Sequence, residues 1–433
     1  MSDSRPLMVW VTTGWPPEIG GPATGNLDRA RWFAEQGGMR LVVLAPEHPD
    51  GALADIAPDG DSRVILYPSR PWAPYPVFRV PSRTGTLAIE RAIELLRPDL
   101  VLHTDLERSF LFSGWRLAGR RWARRNGVPY LAYYHTDFYG SAGVYPFWRQ
   151  TRKVTLAPLI GHLYRQVDGV LCASPTAVGQ VGAFGAERVY ALPFDGVDLA
   201  RFGPHRRDRA ALDGIVPGLS PDGPVVLTLG RIAPEKRIDL TFEAVRRLQS
   251  RERFATTNLV VAGEGSPSLT AELRALAARL PHPERVHFTG AVRGEDKARL
   301  MASADVLSLP CPTETFAITA TECMASGLPV VCADVGAPRE YVVDGVNGFL
   351  HTATDPGSLT RSLVRALESD RDRIGGAAVR TVRERFDMRR IGEGLQDLLL
   401  PIARTGRLPD SFDRLSPAPA GTAPAPPTPS DAP

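Results

Sequence analysis

Short apolar runs alternate with helical segments along most of this chain, in two separate series. The first series places strand-like runs at residues 7–11, 40–44, 64–66, 100–102, 130–134 and 170–173. Helical segments are predicted between several of these runs, at 27–36, 86–96 and 115–125. Continuous apolar strands alternating with helices are typical of a parallel sheet that is covered by helices on both faces. The sequence therefore predicts an α/β fold.

The alternation pauses and then starts again. Residues 201–224 are rich in Arg, Pro, Asp and Gly, and strand-like runs resume at 225–229, 258–262, 286–289, 306–309 and 329–332. At 433 residues the chain is also long for a single core. We predict two Rossmann-like doubly wound domains, at 1–203 and 224–385, joined by a connection at 204–223. A helix at 386–407 is expected to pack back on the first domain.

The end of the chain differs in composition from the rest. From Ser416 onwards it is mostly Pro, Ala, Thr and Ser, which cannot bury a core. We predict a disordered tail at 408–433.

Bulk properties exclude some classes of protein. A net charge of +3 gives no general argument for nucleic-acid binding. No apolar run approaches the ~20 residues that span a bilayer, and the first residues do not resemble a signal peptide. The four cysteines lack C-x-x-C spacing, which favours buried free thiols over zinc ligands or disulfides. We expect a cytoplasmic protein, with peripheral attachment to a membrane still allowed.

Two glutamates eight residues apart form the most specific signal. Glu314 precedes a helix that is predicted over about 316–325, and Glu322 lies inside it. The free N–H groups at the start of this helix would form an anion site. Eight helical residues span ~12 Å, whereas glycosidase carboxylates lie about 5–9.5 Å apart. The pair could therefore grip different parts of one long ligand, or be two exposed acids of an ordinary amphipathic helix.

A basic loop follows the first strand of the second series. Arg231 and Lys236 lie five residues apart between that strand and the next helix. Such a pair can clamp a diphosphate, since arginine offers a planar fork and lysine a point charge. A solvated basic turn is the alternative. A further Gly-rich loop at Gly263 is a weak signal, because it matches neither the dinucleotide fingerprint nor a Walker loop.

In this order the elements resemble the carboxyl-terminal half of retaining glycosyltransferases with the GT-B fold, family four. The family signature places two glutamates eight residues apart before Gly-x-Pro-Val-Val, as in 314–331 here. The stretch at 339–348 is similar to a later acidic motif. In the amino-terminal half, Gly20 and Gly21 resemble a glycine pair that lies against the donor, and 197–202 resembles V-D-x-x-x-F. The match spans roughly residues 7 to 400.

The resemblance implies a retaining, metal-independent enzyme that takes a sugar from a nucleotide diphosphate. The first domain would bind the acceptor and the second the donor, without a cofactor, and the leaving phosphate oxygen would take the acceptor proton. Arg231 and Lys236 would hold the diphosphate. The other implied donor contacts are Glu314 with the backbone of Phe316, Ala317 and Ile318 for sugar and phosphate, Glu322 for ribose, Val292 under the base, and Gly263.

A His-Thr-Asp stretch after a predicted strand places His135 where a site residue belongs. In the family a histidine there often touches the transferred sugar, and a structural histidine is the alternative. This form resembles the mannosyltransferase and sulfoquinovosyltransferase-like subgroup, which uses GDP-mannose or UDP-sugars on lipid or cell-envelope acceptors. A small-molecule acceptor is equally compatible. On the acceptor side the sequence offers His103, Asp105, Asp137 and Tyr145, with structural roles as the alternative.

Two residues depart from the family pattern. Ala317 and Arg237 stand where glycine is common. Two other functions also stay open, namely a disaccharide phosphorylase or synthase of the same fold and a non-catalytic partner subunit. The stretch at 114–125, read as a basic helix with two tryptophans, either packs on the protein or touches an anionic membrane. The D-x-D at 59–61 is explained as a turn.

Overall fold

The computed structural model describes residues 4–18, 21–36, 38–49, 56, 61–72, 75–112, 115–134 and 156–414. Its first sheet has the strand order β3-β2-β1-β6-β7-β8-β9, with all neighbours parallel. These strands are β1 (Leu7–Val11), β2 (Arg40–Pro46), β3 (Arg63–Tyr67), β6 (Leu100–Thr104), β7 (Tyr130–Tyr134), β8 (Gly169–Cys172) and β9 (Val189–Ala191). An antiparallel hairpin, β4 (Ser69–Trp72) and β5 (Tyr75–Pro81), follows β3. We call this part the N-terminal domain.

The second sheet has the order β12-β11-β10-β13-β14-β15 and is also parallel. Its strands are β10 (Val225–Leu229), β11 (Asn258–Ala262), β12 (Val286–Gly290), β13 (Val306–Leu309), β14 (Val330–Ala333) and β15 (Phe349–His351). We call this part the C-terminal domain. Both sheets are doubly wound, so the predicted fold class is confirmed. The strand order reverses between β1 and β6 in one sheet and between β10 and β13 in the other, and ligands bind at such reversals.

Helices lie between the strands, as the alternation predicts. In the N-terminal domain they are Gly21–Gln36, Arg83–Leu96, Leu106–Phe112, Arg120–Asn126, 156–164 and Pro175–Ala183. In the connection and the C-terminal domain they are Leu212–Ile215, Ile238–Gln249, Pro267–Ala277, Gly294–Ser303, Ile318–Ala325, Pro356–Glu368, Arg371–Arg385 and Met388–Thr405. Caps fix several starts; for example, Ser174 and Ser82 accept hydrogen bonds from N–H groups of the first turn that follows each of them.

The predicted helix over 115–125 is wrong in its first half. Trp115 has a left-handed backbone, and the helix begins only after Gly119, whose φ is 77°. A Cβ on Gly119 would lie 2.3 Å from Ile93 Cδ1, so glycine is favoured where the chain turns, by its left-handed backbone and by the close side chain. Trp115 is 59 % exposed, whereas Trp122 is partly buried against the core. The two tryptophans therefore do not share one helical face.

The last helix, Met388–Thr405, returns to the N-terminal domain. A Cβ on Gly392 would lie 2.4 Å from the Trp32 ring, so the backbone of this helix packs directly on Trp32. Residues 408–414, which the sequence assigns to the tail, hydrogen-bond to β9 through Phe412 O and Arg414 N. Phe412 also packs against the hydrophobic core. The predicted tail therefore begins too early at 408, because apolar side chains there are anchored on the sheet.

All four cysteines are buried and free, as predicted. Burial raises the pKa of each thiol. Within the described parts of the chain, no helix is long and apolar enough to cross a bilayer.

Candidate functional site

The basic loop Gly230–Lys236 leaves the sheet at the carboxyl end of β10, and we call it the clamp loop. Its shape depends on the Gly-rich loop after β11. Gly230 N–H donates to Ala262 O and Ile232 N–H to Glu264 O, at 2.9 and 2.8 Å. Gly263 has a φ of 155°, and a Cβ there would lie 1.8 Å from Gly230 O. Gly263 thus lies directly against the clamp loop, where a side chain would displace it.

The loop Thr313–Ala317 follows β13, and we call it the donor loop. The helix after it begins at Ile318, two residues later than predicted, because Ala317 has a left-handed φ of 62°. This conformation explains why glycine is common in the family at this position. Arg237, the second residue that departs from the family pattern, also has a left-handed backbone, with a φ of 48°. Both departures therefore place a side chain on a backbone that favours glycine.

A short turn at Ala337–Glu340, the 337–340 turn, supports the donor loop. Ala337 N–H donates to Glu314 O at 2.9 Å, and the Tyr341 hydroxyl donates to Phe316 O at 2.8 Å. Gly336 has a φ of 67°, and a Cβ there would lie 2.7 Å from Glu314 O. The donor loop is therefore held by its backbone.

The clamp loop and the donor loop meet at the strand reversal. Lys236 Nζ lies 2.5 Å from Glu314 Oε1, although the residues are 78 positions apart in sequence. Their side chains are 27 % and 12 % exposed. Burial by itself lowers the pKa of Lys236, but the Glu314 carboxylate outweighs it, so the net pKa is raised. Lys236 therefore stays charged at neutral pH.

Arg231 reaches towards the N-terminal domain. Its Nη2 lies 3.0 Å from Glu235 Oε1, and its guanidinium carbon lies 4.9 Å from the centre of the Phe78 ring on β5. The Arg108 guanidinium carbon lies 4.8 Å from the same ring. The Phe78 ring thus makes cation–π contacts with one arginine from each domain. Sequence reasoning missed Phe78 and Arg108, since no motif marks the hairpin.

Glu322 is 7 % exposed and is already paired. Lys297 Nζ lies 2.8 and 2.7 Å from its two carboxylate oxygens. Lys297 also lies 5.4 Å from the centre of the Phe202 ring, in the stretch that resembles V-D-x-x-x-F. Sequence reasoning missed Lys297, which carries no signal beyond a charge on the helix Gly294–Ser303. Glu322 is thus an internal carboxylate with a fixed counter-ion, not an exposed acid.

The resemblance also assigns Val292, Ile318, Phe316 and the glycine pair to the donor. Val292 and Ile318 are partly buried against the core. The Phe316 ring is buried edge-on against Phe386, with centroids 5.3 Å apart, so it is the backbone of this residue that a ligand would meet. Gly21 is the first residue of the helix Gly21–Gln36. Gly20 lies outside the described residues.

His103 has a structural role. It is 1 % exposed, and its ring nitrogens lie 2.7 Å from the Tyr130 hydroxyl and 3.0 Å from Ser109 Oγ. Burial lowers its pKa to about 4. Asp105 is also buried and accepts hydrogen bonds from Thr12 Oγ1 and Thr13 N–H.

These contacts favour the structural alternative for both His103 and Asp105. His135, Asp137 and Tyr145 lie outside the described residues. Of the D-x-D, only Asp61 is described, and it pairs with Arg5 at 2.7 Å. Across the described ranges, no group of three or more His, Cys, Asp or Glu side chains is placed to hold a metal.

Comparisons with known proteins agree with this architecture. The family model "Glycosyltransferase Family 4" matches residues 19–201, and "Glycosyl transferases group 1" matches 216–380. A GDP-mannose-dependent alpha-mannosyltransferase of Mycobacterium tuberculosis is 31% identical over 86% of this chain and 90% of its own length. A D-inositol 3-phosphate glycosyltransferase 2 of Catenulispora acidiphila is 37% identical over 40% of this chain and 41% of its own length. The structure of sucrose-phosphate synthase from Thermosynechococcus elongatus has a TM-score of 0.74 at 19% identity, covering 92% of this chain and 99% of that one.

Two facing doubly wound sheets, with these relatives, define a nucleotide-sugar glycosyltransferase of the GT-B class. The two family models match the chain on either side of residues 202–215, and the similarity to the mannosyltransferase covers 86% of the chain. The chain belongs to glycosyltransferase family 4, within the glycosyl transferases of group 1.

Proposed function

We propose that this enzyme transfers mannose from GDP-mannose to an acceptor hydroxyl, with retention at the anomeric carbon and without a metal. The donor is inferred from the full-length similarity to mannosyltransferases that are GDP-mannose-dependent. The observation that carries the proposal is the ion pair of Lys236 with Glu314 at the strand reversal of the C-terminal domain, with Arg231 of the same loop close enough to interact electrostatically with Lys236. Cationic side chains at such a point suit a diphosphate leaving group.

The chemistry follows from the charges that develop. As the sugar departs, negative charge grows on the phosphate, and fixed cations aimed at it lower the barrier. Lys236 is held by Glu314 in the structure described here, and would exchange this carboxylate for the phosphate when the donor binds. Glu314 would then be released towards the sugar hydroxyls. The leaving phosphate oxygen would take the acceptor proton on the same face of the sugar.

The acceptor is proposed as a lipid, a glycan or a small molecule. A basic surface with an exposed tryptophan lies on the N-terminal domain, and its exposed members are Trp115, Arg116, Arg121, Arg124 and Arg125. Such a surface suits peripheral contact with an anionic membrane, where tryptophan lies at the headgroups and arginine pairs with phosphate.

The test is transfer or slow donor hydrolysis with GDP-mannose after chelation, in excess EDTA. We expect activity to survive, and proton NMR to show the α-anomer of mannose as the first product. Activity that is lost in EDTA and restored by a divalent metal would refute metal independence. A β-anomer as the first product would refute retention.

A further inference from the structure

The two domains are joined by a side-chain contact in addition to the chain connection between them. Glu340 Oε1 in the C-terminal domain accepts hydrogen bonds from the backbone N–H and the hydroxyl of Thr176, at 2.7 and 2.5 Å. Thr176 lies in the first turn of the helix Pro175–Ala183 of the N-terminal domain. We call this contact the interdomain clasp.

The clasp suits a carboxylate because the first turn of a helix presents N–H groups that have no partner in the helix. Ser174 satisfies the N–H of Ala177, and Glu340 satisfies that of Thr176 from the other domain. A negative charge is also favoured there by the helix dipole. The carboxylate thus recognises a specific position of the N-terminal domain.

Glu340 belongs to the same short turn that supports the donor loop. At one end of the 337–340 turn, Ala337 N–H holds Glu314 O, and just past the other end Tyr341 holds Phe316 O. Arg385 Nη1 fixes the turn itself by donating to Glu340 O at 3.1 Å. A displacement of the Glu340 side chain would therefore move the 337–340 turn and, through these hydrogen bonds, the backbone of the donor loop.

We infer that Glu340 is a positioning residue, which couples closure of the cleft to the placement of Glu314 and the donor loop. Its carboxylate touches neither the clamp nor Glu314, and it acts through the 337–340 turn. The inference rests on the proposed function, because the donor loop matters only if a sugar nucleotide binds there. Without the Glu340 carboxylate, the cleft opens. The donor loop is then no longer held in the position that it has when the two domains are in contact.

The experiment compares Glu340→Ala and Thr176→Val, which remove the clasp from opposite domains. Glu384→Ala is the matched control, since Glu384 is an exposed glutamate on the helix Arg371–Arg385 and takes no part in the clasp. For both clasp variants we expect kcat with GDP-mannose to fall about tenfold or more, the scale of one charge-assisted hydrogen bond. The dissociation constant for GDP should stay within about threefold, because the clamp loop is untouched.

Small-angle scattering without substrate gives a second readout, which does not depend on activity. The radius of gyration should increase in both clasp variants and not in the control. The double variant should behave like either single one, because the two residues act through one contact. Wild-type scattering with wild-type kcat in both variants would overturn the inference. If GDP-mannose proves not to be the donor, the scattering result still decides whether the clasp holds the cleft closed.

Discussion

Lys236 is the residue whose removal tests the clamp most sharply. In Lys236→Ala a cation is lost from a site where the Glu314 carboxylate, 12 % exposed, stays in place. The diphosphate then loses one charge-assisted hydrogen bond, worth about 1.5–3 kcal/mol, and meets an unpaired carboxylate. We expect the affinity for GDP to fall about 10- to 150-fold, since each 1.36 kcal/mol is tenfold. kcat should fall over a similar range.

Glu314→Gln is the matched variant, because it breaks the same ion pair from the other side. It leaves Lys236 charged and without a competing carboxylate, so GDP should bind as tightly as to wild type or up to about fivefold more tightly, the scale of one ordinary hydrogen bond. Turnover should nevertheless fall, because the proposed contact of Glu314 is with the sugar. Both variants should therefore lower kcat, but only Lys236→Ala should weaken the binding of GDP.

Calorimetric titration with GDP and steady-state kinetics with GDP-mannose separate these effects. Lys236→Met, which keeps the length of the side chain, controls for the space that alanine leaves. If Lys236→Ala and Lys236→Met bound GDP as wild type does, Lys236 would not contact the diphosphate and the clamp assignment would fail.

Three further results are expected. Ala317→Gly relieves a left-handed backbone and should raise the free energy of unfolding by about 1 kcal/mol, measured by urea denaturation; a loss of stability would contradict the strain. The pKa of His103 is lowered to about 4 in the folded protein, so below pH 6.5 the imidazole is protonated in the unfolded state first, and the free energy of unfolding should decline by about 3 kcal/mol between pH 6.5 and pH 4. His103→Gln should remove this pH-dependent loss of stability. The same pH profile in wild type and variant would argue against the shifted pKa. Trp115→Ala should weaken co-sedimentation with anionic vesicles at low salt, and equal binding by wild type and variant would remove this surface from the account.

The sequence is informative about the fold because the central strands of both sheets are buried on both faces. The strands Val225–Leu229 and Tyr130–Tyr134 contain no charged residue and are almost entirely buried, and the predicted bounds match the observed ones. The hairpin β4–β5 was missed because its strands contain prolines and lack a clear alternation. The helix over 115–125 was misplaced because the tryptophans and arginines gave a helical pattern, while Gly119 imposes a left-handed turn.

Site residues that belong to a sequence motif could be predicted. Site residues that only the tertiary structure brings close to the motifs could not. Arg231, Lys236 and Glu314 carry their chemistry in their spacing and residue type. The partners Lys297 and Phe78 do not, because their positions near Glu322 and Arg231 depend on strand order and domain closure. Glycine is needed at position 263 because a side chain there would collide with Gly230 O, a contact that the sequence does not show.

We propose that the C-terminal domain binds a nucleotide diphosphate sugar through Lys236. The most direct test is the thermal unfolding of metal-free wild type and Lys236→Ala with GDP-mannose, UDP-glucose and ADP-glucose. At a concentration a hundred times its dissociation constant, a ligand stabilises by about 2.7 kcal/mol. We predict this stabilisation for GDP-mannose with wild type, and about 1.4 kcal/mol or less at the same concentration with Lys236→Ala. No stabilisation by any sugar nucleotide, or equal stabilisation of both proteins, would contradict the account.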